Sequence, residues 1–139
     1  MRYWLFKSEP NTWSWDDQVG RAEAGEPWDG VRNYQARNNM REMKLGDLGF
    51  FYHSMKEKSI VGVVEVCAEI HPDPTTDDAR WECVDIKAIG PMPTPITLND
   101  CKAEAALADM SLVNNTRLSV QPVTAAEWAY ICKMGGWTG

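Results

Sequence analysis

A run of β-branched residues between Ile60 and Ile70 constrains the possible folds of this chain more than any other feature. Isoleucine or valine occupies six of these eleven positions, a pattern that predicts a largely buried β-strand. Further strands are predicted on either side, over Leu48–His53 and over Trp81–Ile89. The connecting segments are short or rich in turn residues, and strands and helices do not alternate regularly. The pattern therefore predicts antiparallel pairing rather than a parallel α/β sheet.

Helix-start signals divide much of the remaining chain into short helices. The helices are predicted to follow Ser14, to run from Asn33 to about Met43, to cover Asn99–Leu107 after Thr97, and to run from Thr124 to about Lys133. The last helix has the strongest signal, because Glu127 completes a capping box with Thr124. The proline-rich segment Pro91–Pro95 predicts an extended connector ahead of the third helix.

Two more short strands complete the predicted architecture, Arg2–Phe6 near the start and Leu118–Val123 near the end. The predicted fold class is α+β: a strongly bent, mostly antiparallel sheet of about five to six strands, with three to four short helices packed round it. A chain of 139 residues is long enough for one domain and short for two. Residues 1–139 are therefore expected to form a single domain.

Cysteine usage and hydropathy exclude several classes of protein. Four cysteines occur without a CxxC pair and with only two histidines, so neither a metal site nor a cofactor is predicted. The thiols are expected to be reduced and mostly buried. No stretch approaches the ~20 apolar residues of a membrane span, and the N-terminus lacks the apolar region of a signal peptide. A cytoplasmic monomer without membrane contact is therefore expected.

The net charge of −6 argues against a protein that binds nucleic acid mainly through its phosphates, because such binding depends on Lys and Arg. The charge is uneven along the chain, however. The segment Val31–Leu45 has only one acidic residue, Glu42, among four basic residues, which are Arg32, Arg37, Arg41 and Lys44. Any surface that faces phosphate is therefore expected to begin in this segment.

Three polar segments are candidates for binding or chemistry. Gly30–Asn38 contains amides that match the hydrogen-bonding edges of bases, and Tyr34 and Trp28 offer faces for stacking. Lys7–Pro10 places a serine and a glutamate at the end of the first strand. Tyr52–Ser54 ends another strand with a histidine beside a serine. Each segment also has a plain interpretation, as a solvated helix start, a polar turn and a hydrogen-bonding strand end.

Taken together, these segments resemble the EVE domain family. The resemblance rests on five motifs in chain order: Lys7-Ser8-Glu9-Pro10, Gly30-Val31-Arg32-Asn33-Tyr34-Gln35-Ala36-Arg37-Asn38, Gly46-Asp47, Phe50-Phe51-Tyr52-His53-Ser54 and Arg117-Leu118-Ser119-Val120. The motifs extend over nearly the whole chain, and the second and fourth are the most specific. The resemblance implies a PUA-like pseudo-barrel, related to YTH and ASCH domains.

The resemblance also implies a partner and a site. The partner is a nucleic acid that carries a modified base, such as methylated or oxidised cytosine in DNA, with RNA or a small nucleotide-like ligand as alternatives. The implied base pocket is lined by aromatic and amide groups, and its residues are Ser8, Glu9, Trp28, Asn33, Tyr34, Gln35, His53 and Ser54. Phosphate contacts are expected from Lys7, Arg32, Arg37 and Arg117. The family as a whole implies no catalytic activity.

Two other functions stay open at the level of sequence. The related ASCH domains include hydrolases of modified nucleosides, and Lys7 with Glu9 could form an acid–base pair. Against this, the resemblance to ASCH domains is at the level of the fold, which is a poor guide to activity. A protein-interaction module is the third alternative, with the Pro91–Pro95 connector and the acidic second half of the chain as docking features.

Overall fold

The computed structural model describes residues 1–115 and 117–138. Within them the chain forms six strands: β1 (Tyr3–Ser8), β2 (Glu26–Pro27), β3 (Leu48–His53), β4 (Ser59–Pro72), β5 (Glu82–Thr97) and β6 (Val120–Val123). It also forms five α-helices: α1 (Trp15–Gly20), α2 (Tyr34–Arg41), α3 (Leu98–Lys102), α4 (Ser111–Asn114) and α5 (Ala125–Gly135). Two turns of 3₁₀ helix cover Ala22–Ala24 and Ala105–Leu107.

The six strands form one sheet, in the order β2-β5-β4-β3-β1-β6. Strands β1 and β3 are parallel, whereas every other neighbouring pair is antiparallel. Register shifts interrupt the β3–β4 and β4–β5 ladders, and bulges of this kind bend a sheet. The bent, mostly antiparallel α+β sheet predicted from the sequence is therefore confirmed, and the parallel β1–β3 pair is an addition to it.

The central strands are buried on both faces, so the sheet separates two hydrophobic cores. Along β1, Trp4 and Phe6 pack into the first core and Leu5 packs into the second. Along β3, Phe51 lies in the first core and Phe50 in the second. Helices α1 and α2 contribute to the first core, and α3, α4 and α5 to the second. Burial on both faces explains why these strands are continuous apolar runs without alternation.

Four predicted helix starts are confirmed, because in each a side-chain oxygen accepts a hydrogen bond from a backbone N–H of the first turn. The capping residues are Ser14, Asn33, Thr97 and Thr124. Helix α3 ends at Lys102 rather than Leu107, and a 3₁₀ turn follows it. Helix α4 is unexpected, since it is a single turn without a side-chain cap. The described residues thus form five helices where three to four were expected.

Strand β5 differs most from the prediction. The sequence predicts a strand that stops at Ile89 and a connector over Pro91–Pro95, but β5 continues to Thr97. Along this second half β5 pairs with β4, whereas β2 pairs only with Asp85 and Ile86 on its other side. An edge strand tolerates proline because part of its backbone has no ladder partner. The segment is therefore part of the sheet and not a free connector.

A glycine on β4 allows α1 to approach the sheet closely. A Cβ atom at Gly62 would lie 2.4 Å from the ring of Trp15, the first residue of α1. The indole therefore occupies the space that any other side chain at position 62 would fill. This contact fixes the start of α1, and with it the loop that joins β1 to α1.

The structure also bears on two expectations from the sequence, that no segment spans a membrane and that the thiols are free and mostly buried. In the described part of the chain, no helix combines the length and the apolar character needed to cross a membrane. All four cysteines are free, and Cys83, Cys101 and Cys132 are buried in the two cores. Burial raises the pKa of Cys83 to about 12, so this thiol is protonated at neutral pH.

Candidate functional site

A cleft of about 430 Å³ opens over the first core, where β1 and β2 end. Its walls come from the end of β1 with the loop that follows, from β2 with the loop that follows, and from the residue before β6. The lining residues are Lys7, Ser8, Glu9, Thr12, Trp13, Glu26, Pro27, Trp28, Asp29, Gly30, Val31, Arg32 and Ser119. The cleft is thus built from segments far apart in the sequence.

Trp28 lines the cleft and also belongs to the first core. Its ring packs edge-on against Phe6 and Phe51, with ring centroids 5.5 and 5.7 Å away. The residue is only 8% exposed, and its backbone N–H donates to the Val84 carbonyl at 2.8 Å. Trp28 is therefore a fixed wall, and removing its ring would open a cavity in the core.

A buried carboxylate holds the loop after β2. Asp73, which is 2% exposed, accepts hydrogen bonds from the Gly30 N–H at 2.9 Å and from the Arg32 guanidinium at 3.1 Å. Its other oxygen accepts from the N–H and the hydroxyl of Thr75, at 2.7 and 2.5 Å. Burial raises the pKa of Asp73, but these four hydrogen bonds outweigh burial and lower it to about 2. The ionised carboxylate therefore fixes Gly30 and Arg32 at the cleft.

The loop after β1 is held by two buried polar side chains. The Ser8 hydroxyl donates to the Trp13 carbonyl, and the Trp13 indole N–H donates to Gln18 Oε1 at 3.0 Å. Gln18 is fully buried, and its amide donates to the Ile86 carbonyl on β5 at 3.0 Å. The Trp13 ring is thereby tied to the sheet through Gln18, and it forms a second aromatic wall of the cleft.

His53 and Ser54, at the end of β3, form hydrogen bonds to the two ends of the loop after β1. His53 Nε2 accepts a hydrogen bond from the Trp15 N–H at 3.0 Å, so this nitrogen carries no proton. The Glu57 carboxylate lies 3.3 Å from the other ring nitrogen. Ser54 donates to the Ser8 carbonyl through its N–H at 2.9 Å and through its hydroxyl at 3.2 Å. Both residues act on the backbone that carries the cleft wall.

Three titratable groups of the cleft, Lys7, Glu26 and Asp29, have pKa values that are shifted toward the neutral form. Burial, with repulsion from neighbouring carboxylates, raises the pKa values of Glu26 and Asp29. Burial lowers the pKa of Lys7. A third carboxylate, that of the exposed Glu9, stands at the cleft as well. Three carboxyl groups, which accept hydrogen bonds when ionised, therefore line the cleft next to aromatic surface.

The structure brings five of the twelve predicted site residues together in the cleft: Lys7, Ser8, Glu9, Trp28 and Arg32. The other seven lie outside its lining: Asn33, Tyr34, Gln35, His53, Ser54, Arg37 and Arg117. Asn33 is occupied as the cap of α2, where its Oδ1 accepts from the Ala36 N–H at 2.9 Å. Tyr34 stacks on Trp81, with ring centroids 5.0 Å apart. Gln35 and Arg117 are exposed at the surface.

Sequence reasoning missed most of the residues that complete the cleft. Those absent from the predicted site are Thr12, Trp13, Glu26, Pro27, Asp29, Gly30, Val31 and Ser119. It also missed Gln18 and Asp73, which hold the walls without lining them. Asp73 carried a usable signal, because an acidic residue between Pro72 and Pro74 is placed to bond nearby backbone N–H groups. Nothing local in the sequence links Gln18 to Trp13 across a helix start.

One group of side chains in the described part of the chain has donor atoms spaced to hold a metal ion. His71, Cys83 and Asp85 place one ligand atom each within 4.8 Å of the others. However, the two ring nitrogens of His71 face acceptors, the Pro72 carbonyl at 3.0 Å and the Asp85 carboxylate at 2.7 Å. Burial lowers the pKa of His71, but these two bonds outweigh burial and raise it, so they favour the protonated ring. A hydrogen-bonded histidine–aspartate pair beside a buried thiol accounts for this group without a metal ion.

Comparison with known proteins is consistent with this architecture. The family model of the EVE domain matches residues 2–134. Thymocyte nuclear protein 1 from Mus musculus is 36% identical to this chain over an alignment 164 residues long. The alignment covers 95% of this chain and 73% of that protein. The similarity therefore extends over almost the whole sequence.

Solved structures resemble the chain over the same length. An Agrobacterium tumefaciens protein solved by X-ray crystallography has a TM-score of 0.97 and 58% identity, over 98% of this chain and 94% of its own. Human THYN1 protein in complex with 5-methylcytosine-containing DNA has a TM-score of 0.90 and 32% identity, over 100% of both chains. The YTH domain of Zygosaccharomyces rouxii MRB1, at a TM-score of 0.58 and 18% identity, shares the fold alone. This chain therefore belongs to the EVE domain family and has the PUA-like fold that its sequence motifs implied.

Proposed function

We propose that this protein recognises a modified nucleobase without chemical change, and that it holds a modified cytosine of DNA in the cleft between Trp13 and Trp28. The observation that carries the proposal is the match, over the whole of both chains, to the structure of human THYN1 protein in complex with 5-methylcytosine-containing DNA. The two tryptophans at one cleft add support, because base-binding sites in nucleic-acid-binding proteins commonly use aromatic faces.

The free-energy cost of extruding a base is of the same size as the gain from binding it in the cleft. Extruding a base from a duplex costs a few kcal/mol, and stacking it on an aromatic ring returns ~1–3 kcal/mol. Pro27 and Val31 add apolar surface to the same cleft. A methyl group buried against such surface contributes ~0.8 kcal/mol, which corresponds to about a fourfold gain in affinity. We therefore expect 5-methylcytosine to bind about fourfold more tightly than cytosine.

The carboxylates of the cleft favour a base with a hydrogen-bond donor on its edge. Glu9, Glu26 and Asp29 line the cleft and act as acceptors when ionised. Cytosine presents its N4 amino group as a donor, whereas thymine presents an O4 acceptor at the same position. A cytosine-type base is therefore favoured over a thymine, although both accommodate a 5-methyl group.

Only two cationic residues are among the described residues that line the cleft, which limits phosphate contact inside it. Lys7 and Arg32 line the cleft and are proposed to contact the phosphates next to the bound base. The net charge of −6 disfavours a long duplex footprint, because that requires many Lys and Arg contacts. An extruded base in DNA fits this charge, and RNA or a nucleotide-like ligand would use the same cleft. The protein is proposed to act as a monomer in the cytoplasm.

Fluorescence anisotropy with short labelled oligonucleotides tests the proposal. Single-stranded and duplex DNA would carry one cytosine, 5-methylcytosine, 5-hydroxymethylcytosine or 5-formylcytosine at one salt concentration. Trp13→Ala removes an aromatic wall of the cleft that is only partly buried. We expect this variant to lose the preference for the modified base. Asp109→Asn, at an exposed site outside the cleft lining, serves as a control and should bind as the wild type does. Equal affinity of the wild type for all bases would reject the proposal.

A hydrolase of modified nucleosides is the second candidate. The lowered pKa of Lys7 favours it, because the shift is toward the uncharged amine that a general base requires, and Glu9 stands at the same cleft. Incubation with N-acylated and methylated nucleosides tests this function: turnover that is lost in Lys7→Met would support it, and no turnover would exclude these substrates. The interaction-module alternative loses its connector, because Pro91–Pro95 is part of β5.

A further inference from the structure

Beside the cleft lies a surface cluster of arginine and aromatic side chains, of which only Arg32 also lines the cleft. Three of its members, Arg32, Tyr34 and Arg37, come from the start of α2 and the residues just before it. The other two, Arg80 and Trp81, precede β5. These five residues are called the arginine–aromatic cluster below. The cluster unites two segments about 45 residues apart in the chain, so it is a product of the fold.

The aromatic rings orient the guanidinium groups of the cluster. Tyr34 and Trp81 are stacked at 5.0 Å with an interplanar angle of 26°. The guanidinium carbon of Arg37 lies 4.8 Å from the Tyr34 ring centre, and that of Arg32 lies 5.5 Å from the Trp81 ring centre. Arg80 donates to the Tyr34 hydroxyl at 3.3 Å. Guanidinium groups held in this way lose less freedom when they bind an anion.

The positive charge of Arg37 is not paired with a carboxylate in residues 1–115 and 117–138. Its hydrogen bonds go to neutral oxygens, the Arg80 carbonyl at 2.8 Å and Asn38 Oδ1 at 2.8 and 3.2 Å. Arg32 and Arg80 are each paired with one aspartate, but their side chains remain 41% and 64% exposed. In a chain with a net charge of −6, this local excess of oriented cations points to an anionic partner.

The cluster is continuous with the cleft. Arg32 lines the cleft and at the same time lies over the Trp81 ring, so it joins the two surfaces. A polynucleotide whose base enters the cleft must pass its neighbouring phosphates over the rim. A surface of arginines at that rim favours phosphate oxygens, because the guanidinium fork matches them in two-bond geometry.

We propose that the arginine–aromatic cluster binds the phosphates of nucleotides that flank the base held in the cleft, with Arg37 as the principal contact. The inference rests on the proposed base-binding function. Phosphate contacts position a strand and carry no information about the base. The cluster is therefore expected to set the overall affinity and its salt dependence, whereas the cleft sets the preference for a modified base.

The test compares Arg37→Ala with Lys133→Ala, which removes an exposed cation on α5, a helix packed on the second core. Affinities for single-stranded oligonucleotides with one cytosine or one 5-methylcytosine would be measured between 50 and 300 mM salt. We expect Arg37→Ala to weaken binding of both by the same factor, and to reduce the slope of log affinity against log salt by ~0.7 for each phosphate that Arg37 neutralises. Lys133→Ala should leave the slope unchanged.

Each outcome assigns or removes a role. An unchanged slope in Arg37→Ala, with the base preference of the wild type intact, overturns the cluster proposal and leaves the base-binding function standing. Loss of base preference in Arg37→Ala with the slope unchanged also overturns it, because Arg37 would then act at the base. No binding of any oligonucleotide by the wild type overturns both proposals. Binding of a glutamate-rich peptide, abolished in Arg37→Ala while oligonucleotide binding persists, assigns the surface to an acidic protein partner. Circular dichroism would establish that the variant is folded.

Discussion

Replacing Asp73 by Asn tests the inference that one buried carboxylate fixes the loop after β2. The carboxylate accepts four hydrogen bonds, two on each oxygen. An amide has one oxygen and one NH₂ group. Its NH₂ must therefore face one of two pairs of donors, either those of Thr75 or those of Gly30 and Arg32. At least one backbone N–H then loses its partner in a partly buried position, at a cost of ~1–3 kcal/mol. With the loss of the charge-assisted bond to Arg32, we expect Asp73→Asn to lower the free energy of unfolding by ~2–4 kcal/mol at pH 6.

The effect of this substitution depends on pH in a defined direction. The pKa of Asp73 is lowered to about 2 in the folded protein, against about 3.9 in an unfolded chain. The carboxylate therefore stabilises the fold fully above the unfolded value, and this contribution is lost as pH falls toward the folded value. Linkage gives a loss of ~1 kcal/mol between pH 6 and pH 3. The difference between wild type and Asp73→Asn should accordingly shrink by about that amount at pH 3.

Urea unfolding followed by tryptophan fluorescence at pH 6 and pH 3 measures both effects. Asp77→Asn is the matched control, because this exposed aspartate lies in the same loop and should change the stability little. A difference of less than about 0.5 kcal/mol between wild type and Asp73→Asn at pH 6 would refute the reasoning, since surface substitutions fall within that range. A gap that stays constant between the two pH values would refute the pKa argument alone.

Three further predictions follow from other contacts. His53→Leu leaves the Trp15 N–H without its acceptor, and should destabilise the protein by ~1–3 kcal/mol in urea unfolding, whereas His53→Gln should retain part of that stability. Gly62→Ala forces a Cβ against the Trp15 ring and should cost ~1–3 kcal/mol, with a change in near-ultraviolet circular dichroism. The pKa of His71 is lowered by burial but raised overall by its bonds to Asp85 and the Pro72 carbonyl. These bonds therefore stabilise the folded protein fully below pH 6.5, and this contribution is lost as pH rises through the raised pKa. Asp85→Asn should therefore destabilise the protein more at pH 6 than at pH 9; an equal effect at both would count against the ion pair.

Local signals explain the parts of the fold that the sequence predicted well. Strand β3 was predicted with its observed bounds, Leu48–His53, because an apolar run stands between a Gly-Asp turn and a polar loop. The start of α5 was predicted from the Thr124 capping box, which forms as expected. These features depend on residues within four positions of one another. The predicted end of strand β5 at Ile89 is wrong, because the tolerance of an edge strand for proline depends on where its neighbours lie.

The candidate site was only half predictable for the same reason. Lys7, Ser8 and Glu9 were expected as a group and do line the cleft together. The opposite wall depends on Asp73, which reaches the Gly30 N–H from 43 residues away. The local sequence around Asp73 indicates bonds to nearby backbone N–H groups, such as that of Thr75, but not the bond to Gly30. Tyr34 illustrates the converse case, since an aromatic residue in a polar motif fits a base pocket, yet its ring stacks on Trp81 outside the lining of the cleft.

NMR spectra of the indole N–H groups of the seven tryptophans offer the most direct test of where a modified base binds. A ¹⁵N-labelled sample would be titrated with a single-stranded oligonucleotide that carries one 5-methylcytosine, and with the same oligonucleotide carrying cytosine. The proposed site predicts that the Trp13 and Trp28 signals shift, at lower concentration for 5-methylcytosine, while the Trp128 signal in the second core stays in place. Shifts confined to other tryptophans, or equal titration by both oligonucleotides, would contradict recognition of the modified base at this cleft.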